Sequence, residues 1–182
     1  MTTATQTPTA TQPLAHHDLA ELLLAGDARF TVLNTKTGNR FTYRVTEAPA
    51  REGYAPRKSP LFFVKVLTSS DNEDGYSYLG LLRDKTVYEH GKKSRISADA
   101  PSATVFAWFW DKVVRHQLPA CIQVWHEGSC LRCNRTLTDP VSVERAIGPD
   151  CWKLMGRHLP LEAKAQTTIN ELFGESYTPT WR

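Results

Sequence analysis

Two cysteines separated by two residues, Cys130 and Cys133, are followed eighteen positions later by a third, Cys151, and this spacing constrains the chain more than any other feature. A C-x-x-C pair on a tight turn can aim both sulfurs at one ion about 2.3 Å away. The interval to Cys151 lies within the ordinary range between the two halves of a tetrahedral zinc site. Cys151 follows Gly148-Pro149-Asp150, which reads as the start of a helix running to about Arg157. A thiolate in such a first turn is stabilised by the helix dipole and unpaired amides. Residues 128 to 150 hold little apolar material beyond Leu131, Leu137, Val141, Val143 and Ile147, so this segment needs a staple. Structural zinc supplies ~10 to 16 kcal/mol of apparent folding free energy in small modules.

Three thiolates need a fourth donor. His126 stands four residues before Cys130, at the end of a strand expected over Ala120 to Glu127, within reach across the turn. Cys121 is the alternative. It has the opposite parity to His126 in an extended strand and lies about 17 Å further back, so the two are expected to face opposite sides of a sheet. His126 is therefore the favoured fourth ligand, with Cys121 as an ordinary buried thiol. A closed Cys3His site has no open position for water, so zinc is expected to be structural and the chain not to be an enzyme. A deaminase pattern of H-x-E followed by P-C-x-x-C is missing. His90, His116 and His158 each stand apart from any acidic metal site.

The rest of the chain supplies an ordinary core. Among 182 residues, 41% are hydrophobic and 23% charged, enough for one domain or for a domain with a small metal-stapled module. No run approaches the ~18 consecutive apolar residues of a membrane span, and the N-terminus lacks a basic start followed by an apolar stretch. The expectation is a soluble, cytoplasmic protein with reduced thiols, no membrane partner and no small-molecule substrate.

Residues 1–13, nearly all Thr, Ala, Gln and Pro, read as a disordered arm. Leu14 to Ala25 reads as a short helix stopping at Gly26, with His16 and His17 on its surface. Phe30 to Asn34 and Arg40 to Thr46 alternate around Thr37-Gly38-Asn39, a hairpin pattern that puts Phe41, Tyr43 and Val45 on one face. Strands over Leu61 to Thr68, Tyr76 to Leu82 and Thr86 to Glu89 extend this to an antiparallel meander of about five strands. From Pro101 to Gln117 the period becomes 3.6, with Val105, Phe109 and Val113 in one row and Phe106, Trp110 and Val114 beside it. At that spacing the aromatic stripe is a helix face against the sheet rather than a base-stacking surface. Leu161, Ala165, Ile169 and Leu172 or Phe173 form a further apolar row.

The net charge of +3 is small but uneven. Residues 83 to 157 carry twelve Lys and Arg against eight Asp and Glu, while the first 82 residues are balanced. Gly91-Lys92-Lys93-Ser94-Arg95 presents three cations and a hydroxyl on a Gly-started loop suited to phosphate contact, though not a nucleotide P-loop. Together with Arg132, Arg135, Lys153 and Arg157, these residues are expected to form one basic face for DNA or RNA. Arg135 has a second reading, as a donor to carbonyls of the loop.

The string His126-Glu-Gly-Ser-Cys-Leu-Arg-Cys-Asn-Arg-Thr-Leu-Thr-Asp-Pro-Val-Ser, with Gly148-Pro-Asp-Cys151, resembles an uncharacterised family of phage and mobile-element proteins. Its signature is G-x-C-x-x-C-x-R-x-L-T-x-P-x-S followed by G-P-x-C. Leu67 to Gly80, the Gly91 to Ser102 segment and Phe106-Ala-Trp-Phe-Trp110 are similar to what precedes the signature in phage members. Asn134 stands where such proteins commonly have Gly. The resemblance implies a zinc-binding module in a phage setting, hence the cytoplasm of a bacterial host, and implies no activity. Within the signature, Asp139-Pro140 suits the N-cap and first turn of a short helix through Ala146, with Gly148 as its stop.

The expected fold class is α+β: an antiparallel sheet packed by one long helix, then a small treble-clef-like zinc module and a C-terminal helix. The expected divisions are an arm over 1–13, an α+β domain over 14–119, a zinc-binding module over 120–160 and a helical tail over 161–182. Two functions fit. One is a phage-type accessory protein binding nucleic acid; the other is a non-enzymatic factor acting on a host protein, such as an anti-CRISPR-like inhibitor of a defence system.

Overall fold

The computed structural model describes residues 13–49, 58–71 and 73–156. Residues 1–12 of the expected arm and the helix expected over 161–182 lie outside these. Two compact units are formed, Met1–Cys151 and Trp152–Arg182. The boundary expected at residue 120 falls inside the first.

The content is mixed α/β, built on one antiparallel six-stranded sheet. A single-turn 3-10 segment at His16–Asp18 leads into α1, Leu19–Leu23, which stops short of Gly26. Strands β1 (Asp27–Asn34), β2 (Arg40–Glu47), β3 (Leu61–Leu67), β4 (Tyr76–Arg83) and β5 (Val87–His90) follow as hairpin-connected neighbours. Helix α2 spans Pro101–Val114, and β6 spans Ile122–His126. Two short helices close the described chain, α3 at Pro140–Arg145 and α4 at Pro149–Leu154.

The strand order is β5-β4-β3-β2-β1-β6. Five strands form the expected meander, but β6 is not reserved for a separate cysteine module. It pairs antiparallel with β1, with Phe30 opposite His126 and Val32 opposite Val124. The sheet therefore has six strands rather than about five, and the cysteine segment emerges directly from its β6 edge.

Period-two burial sets the two faces. Ala28, Phe30 and Val32 of β1, Tyr43 and Val45 of β2, and Phe62, Val64 and Val66 of β3 are buried on one side. On that side lie the rings of α2. Phe106 meets Tyr43 and Tyr88 edge-on, each at 5.0 Å between centroids, and Phe109 lies 6.0 Å from Phe30. The Tyr43 hydroxyl donates to the Ser102 carbonyl at 2.9 Å, tying the start of α2 to the middle of the sheet. Burial pushes the Tyr43 phenol up, well beyond its ordinary value, with Tyr88 adding to the effect.

Between Val64 and Lys65 the β3–β4 register shifts, so Val64 opposes Gly80 while Lys65 opposes Tyr78. Leu79 is the extra residue. Such a bulge reverses the parity of everything beyond it. Tyr76 and Tyr78 consequently share the face away from α2 with Leu81 and Arg83, which strict alternation would not allow.

Candidate metal centre

The geometry of the cysteine loop begins with glycine and asparagine backbones. Gly128, at φ +76°, turns the chain out of β6, and Asn134, at φ +58°, turns it back after Cys133. Asn is among the few side-chain-bearing residues that enter the left-handed region readily, so it serves at a turn that otherwise favours Gly. Inside this turn the Asn134 N–H donates to the Cys130 carbonyl, and the Cys130 N–H to the Arg135 carbonyl, each at 2.8 Å. Ser129 and Thr136 form a β-bridge that closes the loop. Arg135 thus holds the turn through its main chain, while its side chain is exposed.

Leu131, between the two cysteines, anchors the turn to the body. It is fully buried, with Ala146 and Ile147 equally so. Its N–H donates to Ala146 at 2.9 Å, and its carbonyl accepts from the Asp27 N–H at 3.1 Å, at the start of β1. A Cβ on Gly26, whose φ is +155°, would lie 2.6 Å from the Arg132 carbonyl oxygen. Only glycine lets β1 come this close to the turn.

From the other side come α3 and α4. Asp139 caps α3 by accepting from the Ser142 N–H at 2.9 Å. The helix stops not at Gly148 but at Ala146, which takes the left-handed conformation at φ +57°. Ala146 is completely buried, and a larger residue would not fit where this chain reverses. Gly148 instead donates its N–H to the Cys130 sulfur at 3.5 Å. Pro149 starts α4, so Cys151 sits in its first turn.

These constraints bring together the ligand atoms of Cys130, Cys133 and Cys151, all within 4.8 Å of one another. In a tetrahedral site with bonds near 2.3 Å, sulfurs stand about 3.8 Å apart, so the set fits one thiophilic ion without rearrangement of the fold. Burial raises the Cys130 thiol, but the N–H groups of Gly148, Cys133 and Arg132 outweigh it and hold the group below its ordinary value. Cys151 behaves otherwise. Burial, with the neighbouring Cys133 and Cys130 sulfurs, pushes it up to about 11, against a lowering contact from Arg132.

His126 is 3% exposed at the end of β6, yet it is not part of the cysteine group. Its Nδ1 accepts from the Gly128 N–H at 3.1 Å, which leaves the ring proton on Nε2. That Nε2 is buried and makes no well-formed hydrogen bond among the described residues, with the Val143 and Ser129 main chains beside the ring. Cys121 precedes the other end of β6, half-buried and away from the group, its carbonyl accepting from Thr35.

The described basic residues of the first unit lie at two edges of the sheet. Lys92, Lys93 and Arg95 follow β5, at one edge of the sheet, and Arg132 and Arg135 follow β6, at the other. Five strand spacings of about 4.8 Å separate these edges by about 24 Å. Since β5 and β6 run in opposite directions, the two loops also leave in opposite directions. Lys153 belongs to the second compact unit, and Arg157 lies outside the described residues.

The Ser94 hydroxyl donates to the Tyr78 carbonyl at 2.8 Å and is not offered to a ligand. Lys92 and Lys93 instead border a groove of about 740 Å³ with Phe63, Lys65, Tyr78 and Arg83. Sequence reasoning missed Lys65, Arg83 and Tyr78 as its companions, because the bulge decides that Tyr78 faces this way.

The profile of a family of unknown function (DUF6011) matches residues 125–156, the segment from the end of β6 through α4. No curated protein and no solved structure matches the chain. No helix among the described residues is long and apolar enough to cross a membrane.

Proposed function

We propose that this chain is a non-enzymatic nucleic-acid-binding protein whose cysteine loop is fixed by one structural zinc ion. The observation that carries the binding reading is the groove beside β5. Lys65, Arg83, Lys92 and Lys93 line it against a single carboxylate, Glu89, and that carboxylate is bound to Arg83 at 2.8 Å. Beyond that pair, Lys65, Lys92 and Lys93 line the groove with no further carboxylate among the described residues, a balance suited to phosphates.

Zinc suits the donor set, since borderline-soft Zn²⁺ takes thiolates in a tetrahedral arrangement. Cys130, Cys133 and Cys151 would hold it. His126 is the proposed fourth donor, because its buried Nε2 makes no well-formed hydrogen bond among the described residues and would gain a bond; ligation there requires the ring proton to leave Nε2 and the Gly128 contact to yield. With all four positions taken, the ion would neither activate water nor bind substrate. The order of knuckle, β-bridge and helix-borne Cys151 supports the treble-clef description. A phage or mobile-element setting, with a bacterial cytoplasm as its compartment, rests on the signature.

The test is salt-dependent binding. Labelled duplex DNA, single-stranded DNA and RNA at about 50 and 200 mM salt should lose affinity with log-log slopes near −0.9 per phosphate contact on duplex and −0.7 on single strands. Lys92→Ala with Lys93→Ala should flatten the slope. No binding to any of the three at the lower salt overturns this reading. A host-protein partner is the second reading, favoured by Trp108, which is 40% exposed on α2 beside an apolar pocket of about 270 Å³ lined by Phe41, Val105 and Ile122.

A further inference from the structure

The face of the sheet away from α2 carries a charge arrangement that strand pairing alone disfavours. Arg29 stands opposite Arg44, Arg44 opposite Lys65, and Lys65 opposite Tyr78. Three cations therefore lie side by side across β1, β2 and β3. Like charges directly opposite each other on neighbouring strands repel and destabilise the pairing. Asp27 offsets one of them, receiving both a 2.8 Å bond from Arg44 Nε and a 2.8 Å bond from its terminal nitrogen. Glu127 lies near Arg29 and Tyr76 at the β6 end. Lys65 opens instead onto the groove.

Aromatic rings bracket this row. Toward β5, Phe63 and Tyr78 stand edge to face with centroids 6.3 Å apart and line the same groove. Toward β6, Trp125 opposes Thr31 on the same face, and its indole N–H donates to Gln123 at 3.3 Å, which fixes the ring along the strand. Between them the Arg29 guanidinium lies 5.9 Å from the Tyr76 ring centroid. The distance from β4 to β6 is about 19 Å by strand spacing.

We infer that this face is a platform for a single-stranded polynucleotide, whose phosphates follow the Arg29–Arg44–Lys65 row toward Lys92 and Lys93 while unpaired bases stack on Trp125 and on the Phe63–Tyr78 pair. The inference rests on the nucleic-acid reading above and gives it a substrate class. Bases inside a duplex present no free faces to such rings, whereas single strands do, and stacking combined with a cationic track is how sheets hold them without sequence preference. A protein partner rich in carboxylates would use the cations but leave Trp125 and Phe63 without a role.

The test uses the full zinc-loaded chain with oligonucleotides of about twelve units, deoxythymidine or uridine, against a duplex of equal length. Single strands of either sugar should bind at least about tenfold more tightly than the duplex and quench tryptophan emission. Trp125→Leu should weaken single-strand binding about tenfold and remove part of the quenching, while Trp125→Tyr, which keeps a ring, should stay near the parent. Lys65→Thr should reduce the salt slope by about 0.7. Melting temperature and zinc content identify any variant that fails by unfolding, and the Tyr substitution then decides. Equal or tighter duplex binding, insensitive to Trp125 and Lys65, overturns the platform and leaves nucleic-acid binding elsewhere. Binding to neither form overturns both.

Discussion

Gly26→Ala tests whether the cysteine turn is built onto the sheet or merely follows it. The added Cβ would sit 2.6 Å from the Arg132 carbonyl oxygen, and both sides of that clash are backbone, so no rotamer change relieves it. Relief requires the turn to move from β1, which breaks the 3.1 Å bond from the Asp27 N–H to the Leu131 carbonyl. The lost hydrogen bond costs about 1 kcal/mol, overpacking about 1 to 3, and the disfavoured backbone angle about 1. A total of about 3 to 5 kcal/mol follows, or roughly 6 to 20 °C in Tm for a chain of this size. Gly128→Ala is the internal control: its φ is +76°, but nothing lies within 4 Å of its Cβ position. It should cost only the backbone term, about 1 to 2 kcal/mol. Urea unfolding of the zinc-loaded variants measures both. If Gly26→Ala costs no more than Gly128→Ala, the turn is not held against β1 as described.

Leu131→Ala, at a fully buried position between two ligands, should cost about 2 to 5 kcal/mol and weaken zinc retention; unfolding and metal analysis report the two effects separately. Cys121→Ser should leave zinc content unchanged, whereas Cys133→Ser, at an exposed position, should lose zinc despite removing little packing. Stability should fall in alkali. Burial raises the Tyr88 phenol to about 12, so its contribution is complete below the unfolded value near 10 and is lost as pH rises through 12. Tyr88→Phe should flatten the decline between these values in denaturation curves, while a decline of the same steepness would refute the assignment.

The cysteines were legible because metal spacing is a local property: a two-residue gap on a turn and a third thiol at a helix start need no knowledge of the sheet. Helix α2 announced itself likewise, through its period and Pro101. What failed was non-local. Pairing of β6 with β1 joins residues about ninety positions apart, and no alternation within either strand encodes it. The distance between the Lys92 loop and the cysteine loop was hidden for the same reason, since strand order sends them to opposite edges. The bulge at Leu79 was hidden because period-two reading assumes no insertion. The local setting of His126 was hidden too: it is buried at the end of β6, and the Gly128 N–H takes its Nδ1, a contact made where that glycine has positive φ.

Zinc K-edge absorption on the purified chain, combined with metal analysis, tests the metal centre directly. The account predicts one zinc per chain with three sulfurs at about 2.3 Å and one nitrogen at about 2.0 to 2.1 Å, the nitrogen shell being lost or replaced in His126→Ala. Absence of zinc, or a coordination shell with fewer than three sulfurs, would contradict the centre formed by Cys130, Cys133 and Cys151.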